Sequence, residues 1–322
     1  MAVVLPAAFQ LYLSGFIIML EMTKRETRIA YAKLIASTLI WGGSFIATKI
    51  VVQEISPPAV VWLRFLIGTA ILAFFAKKEN ALKIESWRDG WILAGLGFIG
   101  ITLHQWLQSQ GLVTSEATTT AWIVSTNPVF IALFGWLLLK EKMSMQTIGG
   151  ILMATFGVLL VVTKGDVISL LSAGFGAPGD ILILISSPNW ALYTVLSKPI
   201  LKRTSALKVT FYTLLFGWLL SSVQFFSGGH WADYSRLSPG GWAAIIFLGV
   251  FCSAVAYIFY NDGMQKLTTS QVAIFLYLEP VFSTIVAAVM LSERITLATF
   301  AGGAFIILGV WLVNKAAESL AQ

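Results

Sequence analysis

The sequence predicts an all-α integral membrane protein with ten transmembrane helices, arranged as two inverted five-helix repeats. Three observations lead to this fold class. The mean hydropathy of the 322-residue chain is +0.84, and only 11% of its residues are charged, against about 25% in soluble proteins. The chain contains ten apolar segments that are long enough to cross a bilayer. Its second half also repeats a pattern of its first half.

Each predicted span is an apolar run of roughly 20 residues, the length that a helix needs to cross the hydrocarbon core. Open backbone cannot face lipid, so these runs must be helices. The connections are short and leave no room for a sizeable soluble domain. In chain order the spans are 31–52, 58–76, 90–110, 118–139, 145–163, 181–197, 209–227, 240–260, 270–291 and 296–313.

The internal repeat is marked by pairs of residues at a nearly constant offset. The clearest pair is Asn127-Pro128-Val129-Phe130 and Glu279-Pro280-Val281-Phe282, separated by 152 residues (280 − 128). The same offset relates Glu141 to Glu293, Gly150 to Gly302 and Gly157 to Gly309, and an offset of 149 relates Trp41 to Trp190 and Lys49 to Lys198. The second half therefore copies the first.

The repeat defines two domains, residues 31–163 and 179–313. Each copy holds five spans, an odd number, so the two copies must have opposite orientations in the membrane. Inverted repeats of this kind are typical of secondary transporters, which bind substrate between the two halves. Residues 1–22 form an N-terminal extension. No basic leader is present, which argues against a signal peptide, and we interpret the segment as an upstream addition rather than an eleventh span.

The charge distribution predicts the orientation. With a cytoplasmic N-terminus, most of the 21 lysines and arginines fall on the cytoplasmic side, and only Lys164, Arg236 and Arg294 fall outside. This bias follows the positive-inside rule and predicts that both termini are cytoplasmic. It also accounts for the net charge of +6 without a nucleic-acid partner.

The sequence gives no support for an enzyme. It contains two histidines and one cysteine, Cys252, so a Cys/His zinc site and an intramolecular disulfide are excluded. No Gly-x4-Gly-Lys-[Ser/Thr] string is present, which argues against direct ATP drive. Gly95, Gly97 and Gly100 match a dinucleotide-binding string, but they lie inside a hydrophobic span and predict close helix packing instead. We expect no cofactor, no metal and no catalytic residue.

Several segments together resemble the EamA family of the drug/metabolite transporter superfamily, from about residue 31 to residue 313. They are Trp41-Gly42-Gly43-Ser44-Phe45 with Lys49, Arg64-Phe65-Leu66, Gly179-Asp180-Ile181-Leu182 with Trp190-Ala191-Leu192-Tyr193, and Leu278-Glu279-Pro280-Val281-Phe282 with Leu291-Ser292-Glu293-Arg294. The resemblance implies ten helices, two inverted repeats, a bacterial inner-membrane location and export of small metabolites such as amino acids. Family membership does not fix the substrate.

Polar and aromatic side chains near the middle of the spans predict the substrate site. A charged group at the bilayer centre costs about 2.5–3.5 kcal/mol on insertion scales, so its presence needs a reason. Aromatic walls favour amphipathic substrates and amines through cation–π attraction. The candidate substrate-binding residues are Trp41, Phe45, His104, Gln108, Trp122, Asn127, Trp190, Tyr193, Tyr257, Tyr277 and Glu279.

Two readings of Glu279 remain open: a carboxylate that binds an amine or a proton, and a structural acceptor that bonds neighbouring helices. We favour the structural role, because the motif occurs in a family with many specificities. We expect Pro188 to free the carbonyl of Leu184 toward a cavity or a polar neighbour.

The repeat-related charges at the ends of spans also have two readings. Lys49 and Lys198 either extend to the membrane interface or form gate ion pairs with Glu293 and Glu141. We expect these two glutamates to cap the N-terminal turn of the next helix.

The resulting functional hypothesis is a secondary transporter, in the exporting direction, that carries small metabolites such as amino acids by alternating access. The alternatives are an exporter of many amphipathic compounds and a passive channel. The expected partners are a small-molecule substrate and the lipid bilayer, with no nucleic acid, and the protein is a monomer or a homodimer. Coupling is by proton antiport or absent, as in facilitated diffusion.

Overall fold

The computed structural model describes residues 25–79, 82–139, 144–166, 176–267, 272, 275, 276 and 278–321. Within these ranges every regular element is a helix, so the all-α prediction holds there. The N-terminal extension, residues 1–22, lies outside the described residues, as do Glu141 and Tyr277.

The first half of the chain contains seven α-helices and a six-residue π-helical segment, π1. They are α1 (Arg25–Val52), α2 (Pro57–Lys78), α3 (Trp87–Gly97), π1 (Phe98–Leu103), α4 (His104–Gly111), α5 (Ala117–Val124), α6 (Asn127–Leu139) and α7 (Met145–Val162). Because α3, π1 and α4 are continuous, they form one helical stretch, Trp87–Gly111.

The second half follows the same order, with a second π-helical segment, π2, of eight residues. Its elements are α8 (Pro178–Leu201), α9 (Ala206–Ser227), a 3₁₀ helix (His230–Arg236), α10 (Pro239–Phe247), π2 (Leu248–Val255), α11 (Ala256–Lys266), α12 (Leu278–Met290) and α13 (Leu297–Ala321). A π-helical segment frees backbone groups from the regular ladder and often occurs at functional sites.

Serine and proline define several helix starts. Ser86, Ser144, Ser205 and Ser238 each accept a hydrogen bond from a backbone N–H in the first turn of α3, α7, α9 and α10, which satisfies a donor that the helix leaves free. Proline occupies the first turn of α2, α8 and α10, where its missing N–H costs nothing.

Among the described residues, six helical stretches are long and apolar enough to cross a membrane: Arg28–Val52, Pro57–Lys78, Trp87–Gly111, Met145–Val162, Ala206–Ser227 and Pro239–Lys266. Each overlaps a predicted span. The fourth predicted span is interrupted at Ser125 and Thr126, where a turn separates α5 from α6. Helix α8 carries the polar run Ser186-Ser187-Pro188-Asn189 in its middle, which lowers its hydropathy. A count of ten spans therefore remains a prediction.

The hydrophobic core lies between the two halves of the chain. Helix α1 packs on α11 and α12, α2 packs on α9 and π2, α8 packs on α4 and α6, and α7 packs on α13. Contacts between halves are more extensive than contacts within either half. The buried apolar side chains of both halves belong to one cluster, so the described residues of the two halves share a core.

Small residues allow α7 and α13 to approach closely. A Cβ atom on Gly157 would lie 2.5 Å from the carbonyl oxygen of Gly302, and one on Gly309 would lie 2.5 Å from that of Gly150. The residue order in these two contacts makes the helices antiparallel. Such packing of small faces replaces the hydrophobic drive that lipid does not supply, as predicted for Gly150 and Gly157.

Close helix packing was predicted for Gly95, Gly97 and Gly100, and the structure shows it for two of the three. A Cβ atom on Gly97 would lie 2.7 Å from the backbone nitrogen of Gly217, and one on Gly100 would lie 2.5 Å from the ring of Tyr193. Nothing lies within 4 Å of such an atom on Gly95. Its match to the glycine string is therefore a coincidence of composition.

Lys49 and Lys198 bind backbone carbonyls rather than extending to the interface. The Lys49 ammonium donates to the carbonyl oxygens of Leu112, at 2.8 Å, and Ser115, at 2.7 Å. Lys198 donates in the same way to the carbonyl oxygens of Met264 and Leu267. Each lysine thus satisfies the free carbonyls at the end of a helix and complements its negative dipole end.

Glu293 caps a helix, but not the next one along the chain. Its carboxylate accepts hydrogen bonds from the backbone N–H groups of Ala117, at 2.8 Å, and Thr118, at 2.9 Å. These groups begin α5 in the first half, so the expected cap on the following helix is wrong. The reason is the packing of α5 against α12, which sequence neighbourhood does not show.

We expect the variant Lys49→Met to lower the free energy of unfolding by about 2–4 kcal/mol, because it removes two charge-assisted hydrogen bonds and leaves two carbonyls without a partner. The matched control is Lys164→Met, whose exposed ion pair with Glu116 should contribute about 0–1 kcal/mol. Thermal unfolding followed by tryptophan fluorescence would compare them. Equal stability of the two variants would contradict the role given to Lys49.

Candidate functional site

A cavity lies at the interface between the halves and collects eight of the eleven predicted site residues. Its volume of about 30 Å³ is enough for two or three water molecules. The predicted residues that line it are Trp41, Phe45, His104, Gln108, Asn127, Trp190, Tyr257 and Glu279. Ser44, Arg64, Gln105 and Val124, which were not among the predicted residues, complete the lining.

Aromatic rings form one wall of the cavity. The ring of Trp41 meets that of Trp190 edge to face, with centroids 5.2 Å apart, and meets that of Tyr257 at 5.3 Å. The ring of Tyr260 lies behind them, 5.1 Å from Trp41 and 5.4 Å from Trp190. Edge-to-face pairs at this separation are favourable, so the wall is a packed unit and not a set of loose side chains.

The π-helical segments hold the cavity lining in place. The indole N–H of Trp41 donates to the carbonyl oxygen of Cys252 in π2, at 3.0 Å. The neighbouring Ser253 presents its hydroxyl to Arg64, and the Tyr257 hydroxyl lies 3.5 Å from the carbonyl oxygen of Gly100 in π1. Both π segments thus supply polar groups to side chains of the cavity.

Arg64 is a buried cation with a donor left over. Its Nε donates to the Ser253 hydroxyl at 3.1 Å, and its Nη1 donates to the Gln105 side-chain oxygen at 2.9 Å. Only 3% of the residue is exposed, yet within the described part of the chain no carboxylate pairs with it and Nη2 has no partner. A guanidinium held in this way is suited to bind a carboxylate.

Glu279 is a buried carboxylate that has no hydrogen-bond or ion-pair partner among the described residues. It is 4% exposed and lines the cavity, and no described residue donates a hydrogen bond to its side chain or forms an ion pair with it. The structural role that the sequence favoured requires such donors. No described residue supplies them, and both roles of Glu279 stay predictions.

His104 and Asn127 add polar atoms to the same cavity. The Nδ1 atom of His104 lies 3.0 Å from the carbonyl oxygen of Ser186; Nδ1 therefore carries the hydrogen, and Nε2 is an acceptor. Asn127 begins α6 directly after the turn that ends α5, and its Oδ1 atom is buried without a partner. The cavity therefore offers acceptors as well as the Arg64 donor.

Two predicted site residues lie outside the cavity lining. The indole N–H of Trp122 donates to the hydroxyl of Thr284, and its ring packs where a Cβ on Gly303 would be 2.5 Å away. Tyr193 is fully buried behind Trp190 and exchanges hydrogen bonds with Asn261. Neither side chain is part of the cavity lining. Tyr277 is outside the described residues.

The polar run in α8 does not join the site. The helix is continuous through Pro188, Ser187 is buried without a partner, and Asn189 donates to the carbonyl oxygen of Ile185 in its own helix. Neither Ser187 nor Asn189 lines the cavity. The carbonyl that the cavity does use is that of Ser186, bound by His104.

A Ser-His-Asp cluster that the sequence did not indicate lies where the start of α2 meets the 3₁₀ helix. The Ser56 hydroxyl donates to Asp233 at 2.5 Å and lies 2.9 Å from Nδ1 of His230. Serine and aspartate thus share one ring nitrogen, whereas a catalytic triad uses both. Burial raises the pKa of Asp233, but bonds from Ser56 outweigh it and the pKa lies below its usual range. The cluster therefore ties two connections together.

The described residues hold no group of three or more His, Cys, Asp or Glu that could bind a metal ion. The site is instead an aromatic-walled cavity with one cation and one carboxylate, placed between two packed halves. Secondary transporters bind their solutes between two halves of the chain.

Comparison with known proteins agrees with this class. The model of the EamA-like transporter family matches residues 28–163 and again residues 177–315. The chain belongs to this family, as the motifs predicted. It is therefore a multi-pass membrane protein of a transporter family.

The relatives carry names that fit the family. An uncharacterized transporter of Archaeoglobus fulgidus is 30% identical over 281 residues, which cover 87% of this chain and 96% of the relative. The uncharacterized transporter YyaM of Bacillus subtilis is 28% identical, with 87% and 92% covered. A solved crystal structure with 20% identity has a TM-score of 0.65 and covers 92% of this chain and 99% of its own, which supports the fold alone.

We expect Trp190→Ala to lower the initial rate of solute uptake roughly tenfold, because the cavity loses a wall that cation–π attraction needs. The measurement is uptake of radiolabelled amino acids into proteoliposomes at matched protein content. The control is Trp91→Ala, since Trp91 is 72% exposed and remote from the cavity. If Trp190→Ala folds to normal yield and transports normally, the residue packs the core but does not form the site.

Proposed function

We propose that the protein is a secondary transporter that exports small zwitterionic metabolites, with amino acids first, by alternating access. The observation that carries this proposal is the cavity in which Arg64 and Glu279 stand among aromatic rings. A guanidinium with a free Nη2 suits the carboxylate of a zwitterion. Glu279, which has no partner among the described residues, and the faces of Trp41 and Trp190 suit its ammonium group.

Alternating access in this family of folds depends on two halves that move against each other. We propose ten spans in two inverted repeats, residues 31–163 and 179–313, with both termini cytoplasmic and the protein in a bacterial inner membrane. Three pairs of features support the repeats. The α7–α13 contact is antiparallel and related by exchange, the bonds of Lys49 have counterparts at Lys198, and π1 has a counterpart in π2.

The small volume of the cavity supports a site that opens and closes during transport. A volume of about 30 Å³ is far below the roughly 300–1,000 Å³ of usual ligand sites. We therefore expect the cavity to widen when a solute enters, by separation of the halves at one end. The bonds of Glu293 to the N–H groups of Ala117 and Thr118 join the two halves, so such a separation would break and remake them.

An exporter of varied amphipathic compounds is the second candidate, because the aromatic wall formed by Trp41, Trp190 and Tyr257 would also accept apolar rings. The two candidates differ in their need for Arg64. A zwitterion uses the buried guanidinium, whereas an uncharged or purely cationic compound does not.

Counterflow in proteoliposomes tests the proposed function. We expect an amino acid loaded inside to accelerate uptake of the labelled amino acid, with saturation at increasing concentration. We expect Arg64→Gln to abolish this exchange and Arg64→Lys to raise the KM about tenfold or more, since lysine retains the charge but loses the guanidinium fork. The matched control is Arg203→Gln, which removes an arginine paired with Asp89 at the protein surface.

Flux that rises linearly with concentration and shows no counterflow would indicate a passive pore and contradict the proposal. Saturable counterflow of uncharged or cationic compounds that persists in Arg64→Gln would favour the second candidate.

A further inference from the structure

We propose that Glu279 is a shared binding site for a proton and for the cationic group of the solute, so that each displaces the other during transport. The proposal rests on the proposed function and names the ion that the cavity exchanges for its substrate. Its starting point is that Glu279 is a carboxyl group 4% exposed to which no described residue donates a hydrogen bond.

An ionised carboxylate in such a place is costly. A buried charge needs a partner charge or several donors, and one at the bilayer centre costs a few kcal/mol even with local relaxation. A protonated carboxyl group avoids this cost, and so does a carboxylate paired with a bound ammonium group. The remaining state, ionised and empty, is the least favourable of the three, and this is the condition for an obligatory exchange.

Among the described residues that line the cavity around Glu279, none is a second carboxylate, and the one cation already has partners. Among titratable or charged groups, α2 contributes Arg64 and α4 contributes His104, while α11 contributes Tyr257 and Tyr260. Arg64 is already bound to Ser253 and Gln105. Helices α1, α5, α6 and α8 contribute only uncharged side chains, namely Trp41, Ser44, Phe45, Val124, Asn127 and Trp190.

The repeat gives the site its asymmetry. The position equivalent to Glu279 is Asn127, an amide that cannot titrate. One half of the cavity therefore carries the exchangeable group and the other a fixed polar group. Together with Arg64, this arrangement fixes the orientation of a zwitterion: its carboxylate on Arg64, and its ammonium group on Glu279 between the rings of Trp41 and Trp190.

The exchange can be observed without transport. The probe is phenethylamine, which has an aromatic ring and an ammonium group but no carboxylate. Infrared spectroscopy of the protein in lipid distinguishes a protonated carboxyl group from a carboxylate. We expect a protonated carboxyl band at neutral pH that decreases when phenethylamine binds and one proton appears in solution per bound probe. We also expect the affinity for phenethylamine to fall about tenfold per pH unit on acidification.

Two variants assign the band. Glu279→Gln should lose it and should bind phenethylamine at least tenfold more weakly and without pH dependence, while binding of 3-phenylpropionate, an anion without an amine, is unchanged. The matched control, Glu293→Gln, removes a carboxylate that is already bonded to the N–H groups of Ala117 and Thr118, so the band should remain.

A band that persists in Glu279→Gln, or one that phenethylamine at saturating concentration does not change, would overturn the proposal. So would probe binding that is independent of pH in the unmodified protein. If the band responds as expected but counterflow of amino acids is absent, the proposed function fails while the exchange site stands. If counterflow is present and the band does not respond, the exchange site alone fails.

Discussion

The structure depends on one constraint: every backbone polar group that a membrane helix leaves free must find a partner inside the protein. The chain frees such groups at its π-helical segments and helix ends. Across the two halves, Trp41 binds the carbonyl of Cys252, His104 binds that of Ser186, and Glu293 binds the amides of Ala117 and Thr118. These bonds make the two halves interdependent.

The same constraint places the cavity. Side chains that satisfy freed backbone groups must be polar or aromatic with a polar tip, and they gather where the helices deviate from regular geometry. A ring nitrogen of Trp41 and one of His104 each binds a backbone carbonyl of the other half, and both residues line the cavity. Arg64 and Glu279 are the charged groups of the cavity lining whose bonding capacity is not used up by the described residues, and this is why we assign the solute chemistry to them.

Much of the fold followed from the sequence, because hydropathy and duplication are properties of the chain alone. The equivalence of Trp41 and Trp190 and the unusual position of Glu279 were visible from spacing. The π segments were not, since apolar residues in an α-helix and in a π-helix follow nearly the same pattern. The bonds of Glu293 to α5 join residues 176 positions apart and have no local signal.

The sequence predicted most of the residues that line the cavity but not which side chains face it. Trp122 and Tyr193 bind residues of neighbouring helices instead, because the rotation of a helix about its axis depends on packing that the sequence does not show. Arg64 was noticed only as part of a family motif, because its use became clear from its neighbours Ser253 and Gln105. The available signal was an arginine inside an apolar span that contains no acidic residue.

The central claim is that the two halves open alternately around one cavity, and distances between spin labels measure this directly. In a Cys252→Ala background, one label pair replaces the exposed Lys164 and Arg236 on the predicted outer side, and another replaces the exposed Lys78 and Lys202 on the predicted inner side. When a transported solute is added, we expect the two distances to change in opposite directions. Both pairs widening together, or neither changing while transport proceeds, would contradict alternating access.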